Sequence, residues 1–375
     1  MKSKPSIIKT ISATLRRIDM VFLITVLALT VYGLIMVFSA SSPSAFYNHG
    51  DSMYFFKRQA IWAVVGVITM FIVATLNYKA LKKYAMPSYV VTMILMLLVV
   101  IVGQKINGAK RWLNLGFTTV QPSEIAKITI IFVCAIMLSN ISEIKVKKNM
   151  HSIVACGIII GVSGGLLLLQ PHFSALLIII MAVLVMMLVA GIPFRLFVPA
   201  GIVGIAAIFG LAMSADYRRE RMLSFLDPFK YKMESGYQVV QSLYAIGSGS
   251  FTGLGLGRSR QKFLYIPEPQ NDFIFSIICE ELGFIGAMLV IALFTVLLWR
   301  AVKIALKAPD RFGMLLTFGL ISLTIVQVLF NIAVTTSSVP PTGIPLPFFS
   351  AGGTSFVFQM ISMGVILNIS AQGKD

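Results

Sequence analysis

Long apolar runs broken by short polar stretches set the pattern of this chain. A membrane-spanning helix needs about 20 mostly apolar residues. Runs meeting that measure fall at roughly 20–40, 59–76, 88–103, 124–142, 153–170, 173–191, 197–214, 274–299, 313–334 and 354–370. The fifth and sixth are parted only by Gln170-Pro171-His172, which predicts a tight hairpin. The pattern predicts an all-α polytopic membrane protein of ten transmembrane helices. They form a single domain over 20–370, between a basic leader at 1–19 and a short tail at 371–375.

Composition agrees. Hydrophobic residues make up 57% of the 375 and charged residues 12%, where a soluble domain carries about 25% charged residues. The net charge of +17 then reads as positive-inside anchoring and attraction to anionic lipid, not as nucleic-acid binding. Cys134, Cys156 and Cys279 sit inside apolar runs at no metal-type spacing, and read as small apolar fillers. The leader carries Lys2, Lys4, Lys9, Arg16 and Arg17. Met20–Ala40 is longer than the apolar core of a secretory signal, so it reads as an uncleaved first helix. Cleavage after Ser39–Ser42 is the alternative.

Lysines and arginines of short loops set orientation. The leader, the loop 77–87, the loop 143–152 and the loop after the eighth run are all basic, and all fall on one side of a ten-span bundle. That side is the cytoplasm, with both termini inside. The large loop 215–273, the loop 104–123 and the Pro/Gly-rich loop 335–353 are then extracytoplasmic. The large loop is itself basic, which suits an anionic ligand at the outer face.

Only 14 residues are Asp or Glu, yet Glu268, Asp272, Glu280 and Glu281 crowd the mouth of the eighth run. "QND" before it has the residues of a helix cap. Asp272 could equally be a partly desolvated carboxylate at a membrane boundary, a usable general base. Glu280 and Glu281 lie two turns deeper and read as buried partners of polar or basic groups. In "QPSEIAK", Pro122 and Ser123 suit a helix start, and Glu124 and Lys127 share a face. A capped helix with a local ion pair is one reading; an ionisable Lys127 within a span also marks a functional site. Arg111 lies in a Gly-containing turn next to Trp112. The apolar, Pro/Gly-rich "TGIPLPFFSAGGTS" suggests a folded loop lining a cavity. His172, without a His, Cys or acid at ligand spacing, reads as a capped or hydrogen-bonded residue, not a metal ligand. "GSGSFTGLGLG" reads as a flexible loop segment, and the chain shows no Walker loop, no strand-to-helix GxSxG elbow, no HExxH and no zinc spacing.

These motifs together resemble the SEDS family of bacterial shape, elongation, division and sporulation proteins. The matching pieces are "NGAKRWLNLG", "QPSEIAKI", "QPHFSA", "RRERMLSFLDPF", the long stretch from "GYQVVQSLYAIG" to "CEELGFIG", and "PLPFFSAGGTS". They run in family order over roughly 20–370, and details such as "LGRSRQKFLYIPE" look closer to the FtsW and SpoVE branch than to RodA. The resemblance implies a multi-pass protein of the bacterial plasma membrane. It implies a peptidoglycan glycosyltransferase that polymerises lipid II at the outer face during division or sporulation, inverting the donor sugar. It makes Asp272 the essential acid. Glu124, Lys127, Arg111, Lys262, Arg218 and Arg219 become candidate substrate contacts.

Implied partners are lipid II, membrane lipid, a class B penicillin-binding transpeptidase and other divisome or sporulation proteins. A divalent cation, Mg or Mn, could assist at the diphosphate, although no ligand cluster in the sequence demands one. Two departures matter. Many members have "QPD" where this chain has His172, which cannot inherit a carboxylate's role; and Gln270-Asn271 replaces the usual pair before the aspartate. Against the enzyme stand a lipid II flippase, which should carry midplane charges and interrupted helices in repeated halves, and a non-catalytic scaffold for a transpeptidase.

Overall fold

The computed structural model of the chain describes residues 17–106, 109–114, 116, 119–140, 150–197, 210, 224–234 and 236–373. Its helices are α1 Met20–His49, α2 Tyr54–Thr75, α3 Leu81–Val102, α4 Pro122–Ser139, α5 Met150–Leu169, α6 Phe173–Val189, α7 Tyr237–Gly249, α8 Ile274–Leu306, α9 Arg311–Thr335 and α10 Gly353–Ala371. Every predicted run except 197–214 coincides with one of these helices; that run lies almost wholly outside the described residues. Among the described residues, eight helices are long and apolar enough to cross a membrane, and α6 is a shorter apolar helix. The chain is a polytopic helical membrane protein.

Buried surface orders the bundle. Most of α4 and α9 is covered by neighbours, whereas α2, α3 and α5 keep much of their apolar surface outward. The inner pair carries the polar groups that lipid would not tolerate: Lys127, Gln327 and Asn331 are all buried. Helix ends follow local chemistry. Asp19 starts α1 by accepting from the Phe22 amide at 2.9 Å, and Arg300 and the Ser370 hydroxyl bind the same residue. This staples α1, α8 and α10 at the end of the bundle remote from Asp272. Helix α1 runs on past the predicted Ala40, through Pro43, to a left-handed Gly50. Small residues there (Ser41, Ser44, Ala45) are buried against neighbours, so packing extends the helix beyond its apolar run.

Three expectations are corrected. The loop 104–123 is not a simple turn: strands β1 Gln104–Ile106, β2 Ala109–Asn114 and β3 Thr119–Val120 form a small antiparallel sheet, with Leu113 opposite Val120. Within the large loop, "GSG" of the supposed flexible segment closes helix α7, an amphipathic helix that buries Val239, Val240, Ser242 and Ala245. Its Ser242 hydroxyl lies 2.6 Å from that of Ser276 and donates to Thr335 O at 2.7 Å, fastening the loop to α8 and α9.

The third correction is a break within α8 at Gly283, whose φ of 64° and ψ of −160° are not helical. A break strands the last carbonyls of one segment and the first amides of the next. Here the glycine-rich loop supplies the missing partners. Leu254 and Gly255 donate to Glu280 O and Glu281 O, each at 2.9 Å, while Phe284 and Ile285 donate to Ser250 O and Phe251 O. The approach leaves no room for side chains: a Cβ on Gly253 would fall 2.2 Å from Glu281 O.

Candidate active site

Asp272 sits just before α8, where Phe273 takes the N-cap position with no side-chain cap bond. The expected Asn271 or Asp272 cap therefore gives way. Asn271 instead donates to Glu268 at 2.9 Å, and Asp272 lines a cavity of about 590 Å³. Hydrogen bonds to backbone groups hold the Asp272 segment against the folded loop 342–352. Asn331 of α9 donates from one Nδ2 to Asp272 O at 2.8 Å and to Ile344 O at 2.7 Å. Ser350 donates to Asn271 O at 2.6 Å and accepts from the Leu346 amide, and Ala351 donates to Gln270 O. Ile344, Leu346, Phe348 and Phe349 are buried, so the Pro/Gly-rich loop is a packed wall and not an external turn. Gly343, at φ 65°, brings that wall close to the acid: a Cβ there would lie 3.2 Å from Asp272 Oδ2.

The opposite wall comes from α4 and the hairpin. Gln121 takes the N-cap position of α4 and Pro122 its first turn, while the buried Ser123 hydroxyl, the expected cap, has no hydrogen-bond partner. Glu124 lines the cavity and pairs with Lys127 Nζ at 2.9 Å one turn along. A small second pocket continues past this pair, between α4, α9 and α10, bounded by Gln327 and Gln359. Arg111, carried on β2, donates to the carbonyls of Gln170 and Pro171 and also faces the cavity. His172 completes this wall. Burial lowers its imidazole to about 3, with the Arg111 and Lys127 cations pushing the same way, so it is uncharged near neutral pH.

The structure thus brings Asp272, Glu124 and Arg111 to one cavity, with Lys127 behind Glu124. Lys262 is not among them. It is buried with its Nζ 2.7 Å from Glu281 Oε1 and 3.2 Å from the Ser39 hydroxyl. Burial of both partners away from the cavity makes a structural pair and not a substrate contact there. Glu280 accepts from the Ser259 hydroxyl and the Arg260 amide, so both deep glutamates do serve polar partners. Arg218 and Arg219 lie outside the described residues. Sequence reasoning missed Asn331, Gln327 and Gln359. The signal was present as uncharged amides inside apolar runs, with Gln327 and Asn331 four apart on one helix face.

Comparisons with known proteins agree with this architecture. The chain is 42% identical to the stage V sporulation protein E of Bacillus subtilis (strain 168), over 95% of this chain and 98% of the relative. It is 37% identical to a probable peptidoglycan glycosyltransferase FtsW of Geobacter sp. (strain M18), over 94% and 97%. Among solved structures, one describing coordination of polymerization and crosslinking by a peptidoglycan synthase complex matches with a TM-score of 0.78 at 27% identity, over 94% of this chain and 97% of that one. The rod shape determining protein RodA of Thermus thermophilus matches with a TM-score of 0.70 at 26% identity, over 96% and 98%. The family model described as a cell cycle protein, joining FtsW, RodA and SpoVE, matches residues 19–375, and with near-complete coverage by relatives above 30% identity this chain belongs to that family.

Proposed function

We propose that the chain is a peptidoglycan glycosyltransferase of the bacterial plasma membrane that polymerises lipid II. The observation that carries the reading is the meeting of Asp272, Glu124 and Arg111 in one cavity, although the sequence separates them widely. A carboxylate beside fixed cations suits a reaction that removes a hydroxyl proton at one point and releases a diphosphate at another.

In this reading Asp272 takes the proton from the C4 hydroxyl of a lipid-linked N-acetylglucosamine as that oxygen attacks the anomeric carbon of a second lipid-linked sugar. The bond to diphosphate breaks as the new glycosidic bond forms, and a single displacement inverts the centre from α to β. Negative charge grows on the leaving diphosphate. Arg111 at the cavity wall is the cation best placed to stabilise it, with Lys127 behind Glu124. Arg218 and Arg219 remain candidate substrate contacts from the large loop. Among the described residues no group of three or more His, Cys, Asp or Glu could hold a metal ion by itself. A Mg or Mn ion at the diphosphate would need only one or two carboxylates of the cavity beside the substrate's own phosphates, and would supply further charge stabilisation there.

The break in α8 is the one feature shared with the expectation for a lipid flippase. Its stranded backbone groups are occupied by the chain's own loop, and no other described helix carries a non-helical residue. That favours the enzyme. A class B penicillin-binding transpeptidase as partner, and service in division or sporulation, follow as part of the same proposal.

The test is polymer formation from labelled lipid II by the purified chain, alone and with a transpeptidase partner, resolved by length on a gel. Wild type is expected to make polymer, and Asp272→Asn to lose about two to four orders of magnitude in rate at matched folding. Equal polymer from both would end the general-base assignment. No polymer even with the partner would overturn the enzyme.

A further inference from the structure

Buried polar atoms in folded proteins are hydrogen-bonded in the large majority of cases, so an exception in a cavity wall asks for a reason. His172 Nδ1 is such an exception: it is buried and has no hydrogen-bond partner. The residue lines the same cavity as Asp272, Glu124 and Arg111. It occupies the N-cap position of α6 but its side chain makes no cap bond, so helix capping does not explain it.

The ring's position is set by its surroundings. The His172 amide donates to Leu167 O at 2.8 Å, and Gln170 Nε2 donates to Met96 O at 2.8 Å. Arg111 grips the carbonyls of Gln170 and Pro171, and Ser174 donates to Thr342 O at 2.6 Å. A turn fastened to α3, the small sheet and the folded loop cannot easily swing its imidazole elsewhere to find a partner.

We infer that His172 is a substrate-binding residue, its imidazole hydrogen-bonding a hydroxyl or acetamido group of the lipid-linked sugar. An uncharged imidazole offers one donor and one acceptor, which complements a hydroxyl or an amide. The diphosphate, all acceptor, is matched instead by the guanidinium of Arg111. The inference deepens the glycosyltransferase reading and rests on it. It also gives this chain a sugar contact at a position where the carboxylate common in the family is absent.

The experiment is a titration of fluorescent lipid II onto the full-length protein in detergent, in an Asp272→Asn background so that no turnover occurs. His172→Ala, His172→Asn and His172→Gln are compared with that parent, and each is melted in the same detergent. His172→Ala is expected to weaken binding about three- to tenfold, the range for one lost uncharged hydrogen bond. His172→Asn, whose amide falls where Nδ1 does, is expected to recover most of it; His172→Gln, whose amide falls nearer Nε2, is not. Binding by His172→Ala as tight as the parent overturns the inference. So does His172→Asn no better than His172→Ala, or a weakening that only tracks a lower melting temperature. Wild type that binds lipid II yet makes no polymer would sink the glycosyltransferase reading while these binding ranks still judge His172. A parent that binds no lipid II would overturn both.

Discussion

Lys262 Nζ and Glu281 Oε1 lie 2.7 Å apart with both side chains buried, joining the large loop to α8 just above its break. The Ser259 amide and the Ser39 hydroxyl also bind the Glu281 carboxylate, so loop, α1 and α8 meet on one acid. Removing one member of a buried ion pair leaves the other uncompensated, at a cost of about 3–5 kcal/mol, whereas apolar replacement of both is often near neutral. Glu281→Ala is therefore expected to lower thermal stability in detergent strongly, and Lys262→Met with Glu281→Leu to recover much of it. A folded double variant should still polymerise lipid II. If it folds as wild type yet is inactive, Lys262 returns to the substrate-binding role that the resemblance suggested.

The glycines at the α8 break are separable by what a methyl group would meet. Gly283→Ala forces a Cβ to 2.3 Å from Gly253 N, and Gly253→Ala forces one to 2.2 Å from Glu281 O, both at positive φ. Gly257 has a similar φ of +79° but nothing within 4 Å. Gly257→Ala should cost only the left-handed penalty of about 1–2 kcal/mol. Gly283→Ala and Gly253→Ala should cost more than that or abolish folding, because the clash is with backbone. Melting curves and yields of the three variants check the order, and equal losses would mean that the close approach is unimportant.

Much of this fold was legible because lipid imposes a length rule that the chain obeys run by run. The ends of α1 and α8 escaped that rule, since small buried residues such as Ser41 and Ala45 extend a helix by packing and not by hydropathy. The small sheet was hidden because β2 is "AKRWLN", too charged to read as a strand. The break at Gly283 needed its partner Gly253, and no local pattern announces a pairing between a loop and the middle of a helix. Asp272 and Glu124 were each legible as unusual acids, but their shared cavity depends on how α4, α8 and the folded loop pack. The pairing of Lys262 with Glu281 was hidden for the same reason, since nothing local in the basic loop announces an acid of α8 beside it.

The uncharged state of His172 has a consequence for stability. Its imidazole is lowered from 6.5 to about 3 in the fold, chiefly by burial. Above about pH 6.5 the residue is neutral in folded and unfolded chains alike, so it adds no pH dependence. As pH falls below that value the unfolded chain takes up a proton that the fold refuses, and stability drops until about pH 3. The melting temperature in detergent should therefore fall between pH 6.5 and 4, and His172→Asn should flatten that slope. The other charged groups at this cavity are Arg111, Glu124, Glu268 and Asp272, with Lys127 behind Glu124, so the two proteins are compared with each other at each pH, near pH 6.5 to 5. Parallel slopes for wild type and His172→Asn there would mean that His172 titrates normally in the fold.

Asn331 is the residue most directly charged with holding the acid in place without touching substrate. Its single Nδ2 reaches Asp272 O and Ile344 O, so one amide fixes the start of α8 against the folded loop. Asn331→Asp substitutes an acceptor for that donor and sets a carboxylate oxygen against two carbonyls; Asn331→Ala simply frees them. Displacement of a reacting group by about 1 Å can cost on the order of a hundredfold in rate. Both variants should therefore lower kcat for polymer formation about ten- to a hundredfold, with KM for lipid II changed far less, because Arg111 and Glu124 are carried on other elements. Asn331→Gln keeps the donor but pushes it one methylene further, and should recover part of the rate only if the wall can shift to receive it. A rise in KM at constant kcat would instead make Asn331 part of the binding surface, and would detach Asp272's position from the α9 amide.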